Sequence, residues 1–183
     1  AAGKISFDGA AAAQWDRDDL GQYLGYVPQR TNLFSGRVDE NIARFRSFES
    51  ESVLHASRKA FVHDMALKLP DGYNTVIEQG GQNLSEGQAR RISCARALYG
   101  DPAVVLMDEP NAGMDEEGLK GLLQTIKVLR EERTTLVMAS DNPNLLVNMD
   151  KILFLKDGQV SMFGPSKEVL GKLTNRKQAQ QES

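Results

Sequence analysis

The feature that most constrains the fold is a short apolar run at residues 103–107, Ala-Val-Val-Leu-Met, which lies between Pro102 and Asp108. Its residues are apolar without alternation, as in a parallel strand that is buried on both faces. Residues 135–139 are predicted to form a second buried strand. Helical patterns surround both runs, so the sequence indicates an α/β sheet protein.

The remaining elements are predicted from hydrophobic periodicity and from turn residues. Strands are predicted at residues 5–7 and 23–27, a hairpin at 151–163 with the turn Asp157-Gly158, and helices at 16–22, 85–98, 118–130 and 166–173. Apolar residues at helical spacing also occupy residues 38–69. We therefore expect a mainly helical insertion at about residues 38–98 and a polar tail at residues 174–183.

Composition excludes several classes of protein. With 40% hydrophobic and 26% charged residues, the chain is globular rather than low in complexity. Its 22 Lys and Arg against 25 Asp and Glu give a net charge of −3, whereas nucleic-acid binders usually carry a basic excess. No apolar run approaches the ~20 residues that span a bilayer. Cys94 is the only cysteine, and we expect a small buried side chain rather than a reactive thiol.

Two adjacent carboxylates, Asp108 and Glu109, follow the first buried strand. Ligand sites of open α/β sheets lie at the carboxyl ends of the strands. One carboxylate there can hold Mg²⁺ while its neighbour orients a water molecule. A charged loop after a strand would show the same pair, and the pair alone favours that simpler interpretation.

Two further segments have polar residues at element ends. Leu84-Ser85-Glu86-Gly87-Gln88 begins a predicted helix, whose free N–H groups and positive dipole end can bind an anion. An ordinary capped helix has the same pattern. Gln29 follows the strand at residues 23–27, where it can reach a metal ion or a water, although a solvated glutamine is the default.

Taken in chain order, these segments resemble the nucleotide-binding domain of ATP-binding cassette (ABC) transporters. The Q-loop would contain Gln29, the helical subdomain would be residues 38–98, the signature motif 84–88, Walker B 104–109 and the D-loop 111–115. The closer match is to exporters, whose cassettes are similar to this chain at residues 32–36, 40–42, 69–75 and 78–81. Residues 97–102 and 163–165 resemble the bacterial type I secretion ATPases of the protease and lipase export group. The resemblance covers nearly the whole chain.

The resemblance implies a P-loop NTPase-like fold that binds ATP and Mg²⁺ and drives export. It implies these roles: Gln29 and Asp108 as metal ligands, Glu109 as the group that polarises the attacking water, Ser85, Glu86, Gly87 and Gln88 facing the ATP of a partner domain, and Asp115 at the dimer interface. The implied partners are a second nucleotide-binding domain, a transmembrane domain of the same transporter and envelope adaptor proteins, with no nucleic acid. The implied location is the cytoplasmic face of the bacterial inner membrane.

Three departures from the family pattern qualify these roles. The phosphate-binding sequence G-x-x-x-x-G-K-[ST] is absent, so we expect residues 1–173 to be a partial nucleotide-binding domain of a longer protein, inactive alone. Glu86 replaces the first glycine of the usual signature Leu-Ser-Gly-Gly-Gln. Asp141 stands at the switch position, where the family has a histidine, and a carboxylate cannot donate a hydrogen bond to phosphate.

Two alternative functions remain open from the sequence. Glu109 favours an ATP-hydrolysing motor, whereas Glu86 and Asp141 favour a degenerate cassette that binds nucleotide and regulates without turnover. The C-terminal half of a DNA-organising ATPase head also has a signature and Walker B without Walker A. Gln29, the helical segment and the acidic charge balance argue against that third interpretation.

Overall fold

The computed structural model of the protein describes residues 3–181. The chain forms two compact units, which meet in sequence between Met138 and Ala139. The helices are α1 Arg17–Tyr23, α2 Val38–Ile42, α3 Ser50–Lys59, α4 His63–Leu67, α5 Glu86–Leu98, α6 Glu116–Glu131, α7 Pro143–Leu146 and α8 Ser166–Gln181. The strands are β1 Ser6–Phe7, β2 Ala10–Ala11, β3 Leu24–Val27, β4 Gly36–Arg37, β5 Val76–Ile77, β6 Val104–Asp108, β7 Thr135–Ala139, β8 Lys151–Lys156 and β9 Gln159–Pro165.

The main sheet has the strand order β3-β6-β7. β3 and β6 are parallel, with Leu24 opposite Val104 and Val27 opposite Met107, a constant offset of 80 residues. This confirms the predicted α/β class with a parallel sheet. Two small antiparallel pairs, β1 with β2 and β4 with β5, complete the strands of the first unit.

The core of the first unit lies between the helical segment and the sheet. α5 packs against α2, α3 and β3, and its side chains are buried around most of its circumference. Fully buried side chains in this core include Val27, Ile42, Val62, Ile77, Ile92, Leu98, Val105 and Leu129.

α5 begins directly after Ser85, as predicted. The Ser85 hydroxyl accepts a hydrogen bond from the Gln88 N–H at 3.1 Å, and the Gln88 side-chain oxygen accepts one from the Ser85 N–H at 2.9 Å. This reciprocal capping box satisfies two N–H groups that have no partner within the helix. The position of the helix start therefore follows from residues that are adjacent in sequence.

The helical pattern predicted from Val38 onward is broken into α2, α3 and α4. Arg44 and Phe45 leave the helix with φ of 57° and 56°, in the left-handed region. The Arg44 guanidinium donates to the carbonyls of Arg96 and Ala97, both at 3.1 Å, at the C-terminal end of α5. Because those carbonyls lie in the last turn of a helix, a cation there satisfies acceptors that have no helical partner.

The predicted burial of two strands was wrong. β6 alternates, with Val105 and Met107 buried and the intervening residues half-buried. β7 has the predicted bounds, but Val137 is 57% exposed and no β7 residue is fully buried. The reason is positional, since β7 is the last strand of the sheet order within residues 3–181.

The second unit contains a hairpin and two helices. β8 and β9 pair antiparallel from Lys156 opposite Gln159, as predicted, and α8 packs against both strands. The turn residues Asp157 and Gly158 have φ of 51° and 75°, which a tight hairpin turn requires. α8 extends beyond residue 173, where the sequence predicted its end. Among residues 3–181, no helix combines the length and apolar character needed to cross a membrane.

Candidate functional site

Gln29 and Glu109 meet beyond the carboxyl ends of β3 and β6. The Gln29 Nε2 donates a hydrogen bond to the Glu109 Oε2 at 3.0 Å. The two residues are separated by 80 positions, the offset that pairs β3 with β6. The parallel register therefore continues past the last paired residues and brings the predicted Q-loop glutamine to the predicted catalytic carboxylate. This edge of an open α/β sheet is where such folds bind ligands.

The adjacent carboxylates of Asp108 and Glu109 lie in different environments. Asp108 is the half-buried last residue of β6, whereas Glu109 is exposed. Glu109 has φ of 43°, in the left-handed region that residues other than glycine rarely adopt. Such a conformation costs roughly 1–3 kcal/mol and tends to occur at functional sites. The chain thus turns sharply at Glu109, immediately after the strand that positions it.

The side chains of the signature segment bind neighbours within the chain. Ser85 and Gln88 are engaged in the capping box described above. Glu86 lies against Gly113, where a Cβ would stand 2.6 Å from the Glu86 Cδ. Gly113 also has φ of 69°, so glycine is required there for both space and conformation. The start of α5 is thereby packed against the predicted D-loop of the same chain.

Asp115 joins the D-loop to two helices. Its Oδ1 accepts a hydrogen bond from the Gly118 N–H at 2.8 Å, which caps α6, and it forms an ion pair with Arg91 of α5. The Gly118 N–H and then the Arg91 guanidinium hold the pKa of the Asp115 carboxyl below its usual value. These contacts are within one chain, and the predicted place of Asp115 at a dimer interface stays a prediction.

Asp141, predicted to occupy the switch position, belongs to the second unit, whereas the other candidate residues belong to the first. It is exposed, in the loop between β7 and α7. The neighbouring Asn142 N–H donates to the Ser140 hydroxyl at 3.1 Å, and the Asn142 side chain caps α7. The loop is therefore ordered around Asp141 by its neighbours, and the role of Asp141 stays a prediction.

The predicted metal ligands supply oxygen atoms of the type that Mg²⁺ prefers. Within residues 3–181, no group of three or more His, Cys, Asp or Glu side chains could hold a metal ion. Mg²⁺ commonly uses only one or two carboxylates and takes its other ligands from phosphates and water. Asp108 fits this role, and so does the amide oxygen of Gln29, because the amide nitrogen of Gln29 is the atom that donates to Glu109.

Sequence reasoning missed Arg90, whose side chain is 2% exposed. Its Nη1 donates to the Pro28 carbonyl at 3.1 Å and its Nη2 to the Gln29 carbonyl at 2.7 Å. An arginine one turn into a helix is normally solvated, so nothing in the local pattern identifies this contact. The one available signal is that Arg90 and Arg91 interrupt a helix otherwise rich in small and apolar residues.

Cys94 confirms its sequence prediction. It is a free, buried cysteine on α5. Burial raises the pKa of its thiol to about 12, although the nearby Arg90 acts in the opposite direction. A thiol with so high a pKa is almost fully protonated at neutral pH and is a poor nucleophile.

The parallel sheet, the inserted helical segment and the carboxylate pair at the strand end define the class of P-loop NTPase-like ATPase domains. The family model described as ABC transporter matches residues 1–112, and the chain belongs to this family. The recognition made from the motifs is thus confirmed.

Similar proteins include ATP-binding proteins of bacterial transporters. The chain is 40% identical over 182 residues to the type I secretion system ATP-binding protein PrsD of Rhizobium meliloti, covering 99% of this chain and 31% of that protein. It is 37% identical to the uncharacterized ABC transporter ATP-binding protein YfiB of Bacillus subtilis, with 92% and 29% covered. A solved bacterial Atm1-family ABC exporter with ATP bound matches the whole chain and 32% of its own, with a TM-score of 0.85 and 29% identity. The chain therefore spans about a third of the length of these relatives.

Proposed function

We propose that the chain is part of the ATP-hydrolysing motor of an ABC exporter that secretes protein by the type I route. The hydrogen bond between Gln29 and Glu109 carries this proposal, because it joins the Q-loop amide to a carboxylate at the strand end. Similarity to a type I secretion ATP-binding protein over 99% of the chain supports the choice of transport route.

In this mechanism Glu109 is the general base. The Gln29 Nε2 holds one carboxylate oxygen of Glu109, and the other oxygen accepts a proton from the attacking water. The water oxygen bonds to the γ-phosphorus as the bond to the β,γ-bridging oxygen breaks, so ADP and phosphate are the products. Asp108 and the Gln29 amide oxygen would hold Mg²⁺ beside the bound ATP. When bound, Mg²⁺ offsets the negative charge that Asp108 and Glu109 place beside the phosphate.

The proposal includes the architecture that the resemblance implies. Residues 1–173 are a partial nucleotide-binding domain with the helical subdomain at 38–98, and the phosphate-binding loop is supplied by a segment outside this sequence. Ser85, Glu86, Gly87 and Gln88 face ATP across a dimer in which Asp115 also takes part. A transmembrane domain of the same transporter holds this domain at the cytoplasmic face of the inner membrane. Envelope adaptor proteins are the further partners of the exporter.

Glu109→Gln in the full-length protein tests the proposal. Glutamine keeps the size and the hydrogen bond to Gln29 but cannot accept the proton, so turnover should fall by about 10²–10⁴ while ATP binding persists. Glu116→Gln is the matched control, since that side chain is 85% exposed and forms a surface ion pair with Lys120. Steady-state ATPase rates within about threefold of wild type for Glu109→Gln would contradict the mechanism. Culture-medium proteomics of a deletion strain tests the route, because one or more secreted proteins should disappear.

A regulatory cassette without turnover is the second candidate. At position 86 the family signature has glycine, which leaves the backbone open to phosphate. This chain has Glu86 there, and its carboxylate lies against Gly113. Full-length protein that binds Mg-ATP tightly but hydrolyses none, with or without the Glu109 substitution, would favour this candidate.

A further inference from the structure

We propose that Arg90 is a positioning residue, which fixes the backbone at Gln29 so that the Gln29 side chain meets Glu109. The inference deepens the proposed function and rests on it, because positioning Gln29 affects catalysis only if Glu109 acts as the general base. Arg90 itself touches neither of the two reacting side chains through its hydrogen bonds.

The first observation is where the two acceptors lie. β3 has its last paired residue at Val27, opposite Met107. The carbonyls of Pro28 and Gln29 come immediately afterwards, where the ladder no longer holds the chain. Arg90 binds both of them, at 3.1 and 2.7 Å. The guanidinium therefore continues the restraint that the sheet provides up to Val27.

The second observation is the character of these hydrogen bonds. The Arg90 side chain is 2% exposed, so the donor of both bonds is shielded from water, while the acceptors belong to half-buried Pro28 and exposed Gln29. Hydrogen bonds from a charged donor are about twice as strong as neutral ones. A planar guanidinium presents two nitrogens in a fixed fork and can bind two successive carbonyls, whereas a lysine ammonium is a single point of charge.

The third observation links the same group to the signature segment. Nη2 of Arg90 lies 3.6 Å from the Glu86 Oε1, one turn earlier on α5. Glu86 in turn lies against Gly113 of the D-loop. A displacement of the first turn of α5 would therefore move the carbonyl of Gln29 and, through its side chain, the contact with Glu109. Because Glu86 is 68% exposed, its own ion pair is worth little, and the restraint resides in Arg90.

A double-mutant cycle in the full-length protein tests this role against simple structural support. Arg90→Lys should lower kcat for ATP about tenfold and leave KM within about twofold, which corresponds to about 1.4 kcal/mol of barrier. If Arg90 acts through Gln29, Arg90→Lys in a Gln29→Ala background should have less than about a twofold further effect. Equal losses in both backgrounds, or an unchanged kcat, would overturn the inference.

Arg96→Lys is the matched control. Arg96 lies on the same helix and donates to the Asn32 carbonyl of the same loop at 3.0 Å, three residues beyond Gln29. This variant should keep kcat within about twofold of wild type, and an equal loss would show that any arginine of α5 supports the loop. Arg90→Gln replaces Arg90→Lys if the lysine variant does not fold, with the same expected loss of kcat.

Hydrogen–deuterium exchange separates this inference from the proposed function. In exchange resolved to single residues, Arg90→Lys should increase deuterium uptake at Gln29 and Arg30, whereas Arg96→Lys should not increase it at these two residues. If wild-type protein hydrolyses no ATP, the proposed function fails and the exchange result alone decides the positioning role. Unchanged uptake in Arg90→Lys would then refute it.

Discussion

The charge cluster around Lys59 allows a prediction about stability. The loss of unfolding free energy should depend on whether the lysine or its two acidic partners are replaced. Lys59 ends α3, and its side chain is 5% exposed. Its Nζ lies 2.8 Å from the Asp101 Oδ1 and 2.5 Å from the Glu132 Oε2. The two acids are much more accessible, with side chains 58% and 43% exposed. The ammonium is therefore the member of the cluster that depends on its partners.

The magnitudes follow from which charge remains after substitution. Asp101→Asn with Glu132→Gln leaves the buried Lys59 ammonium without a counter-charge, which should cost about 3–5 kcal/mol of unfolding free energy. Asparagine is chosen because Asp101 has φ of 50°, a conformation that asparagine tolerates. Lys59→Met leaves two carboxylates that water can solvate and fills the space of the lysine stem, so it should cost less than about 1 kcal/mol.

Urea unfolding followed by circular dichroism measures both changes. For a chain of this size, the double variant should also melt roughly 6–20 °C lower, since each 1 kcal/mol is worth about 2–4 °C. The reasoning would be refuted if Lys59→Met were as destabilising as the double variant. Glu131→Gln is a suitable control, because that side chain is 66% exposed and pairs with Lys127 at 3.9 Å.

The same cluster predicts how stability depends on pH. Burial opposes ionisation of Asp101, but its hydrogen bond with Lys59 prevails and lowers its pKa. Its stabilising contribution is present above the unfolded-state pKa of about 3.9 and is lost as the pH falls through the lower folded value. Burial likewise opposes the charge of Lys59, but Asp101 and Glu132 raise its pKa. That contribution is complete below about pH 10.4 and is lost as the pH rises through the higher folded value.

Three further predictions test packing, reactivity and the switch position. Gly25→Ala would drive a Cβ into the Ala97 carbonyl oxygen and should destabilise by about 1–3 kcal/mol in urea unfolding, whereas Gly21→Ala, with open space around it, should not destabilise. Cys94 should react with a thiol reagent at pH 8 only after unfolding, and rapid labelling of native protein would contradict its burial. Asp141→His in full-length protein should raise ATP turnover about tenfold, by ~1.4 kcal/mol, because histidine can donate to phosphate; an equal or lower rate would show that Asp141 is not the switch.

Local chemistry explains what the sequence predicted well. The start of α5 depends on a hydrogen-bonded exchange between Ser85 and Gln88, which are three residues apart. The hairpin turn depends on Asp157 and Gly158, because aspartate and glycine are residue types that tolerate the positive φ of a tight turn. The residues that determine such elements lie within them, so the elements can be predicted from a few adjacent residues.

Long-range contacts explain what the sequence did not predict. The break after α2 places Arg44 at carbonyls of Arg96 and Ala97, more than 50 positions away in the chain. The burial of Arg90 depends on the carbonyls of Pro28 and Gln29, about 60 positions earlier. Helical periodicity treats both arginines as surface residues, since it contains no information about acceptors that another element will present.

The contact between Gln29 and Glu109 lies between these two cases. Each residue could be identified from its motif, but their meeting depends on the parallel register of β3 and β6. A slip of one residue would turn the buried Val27 to the opposite face and place Pro28 or Arg30 against Glu109. Gly25 resists that slip, because its bare backbone packs on the Ala97 carbonyl and no other residue of β3 could take its place without a clash. The packing of α5 beneath the sheet therefore determines which side chain reaches the catalytic carboxylate.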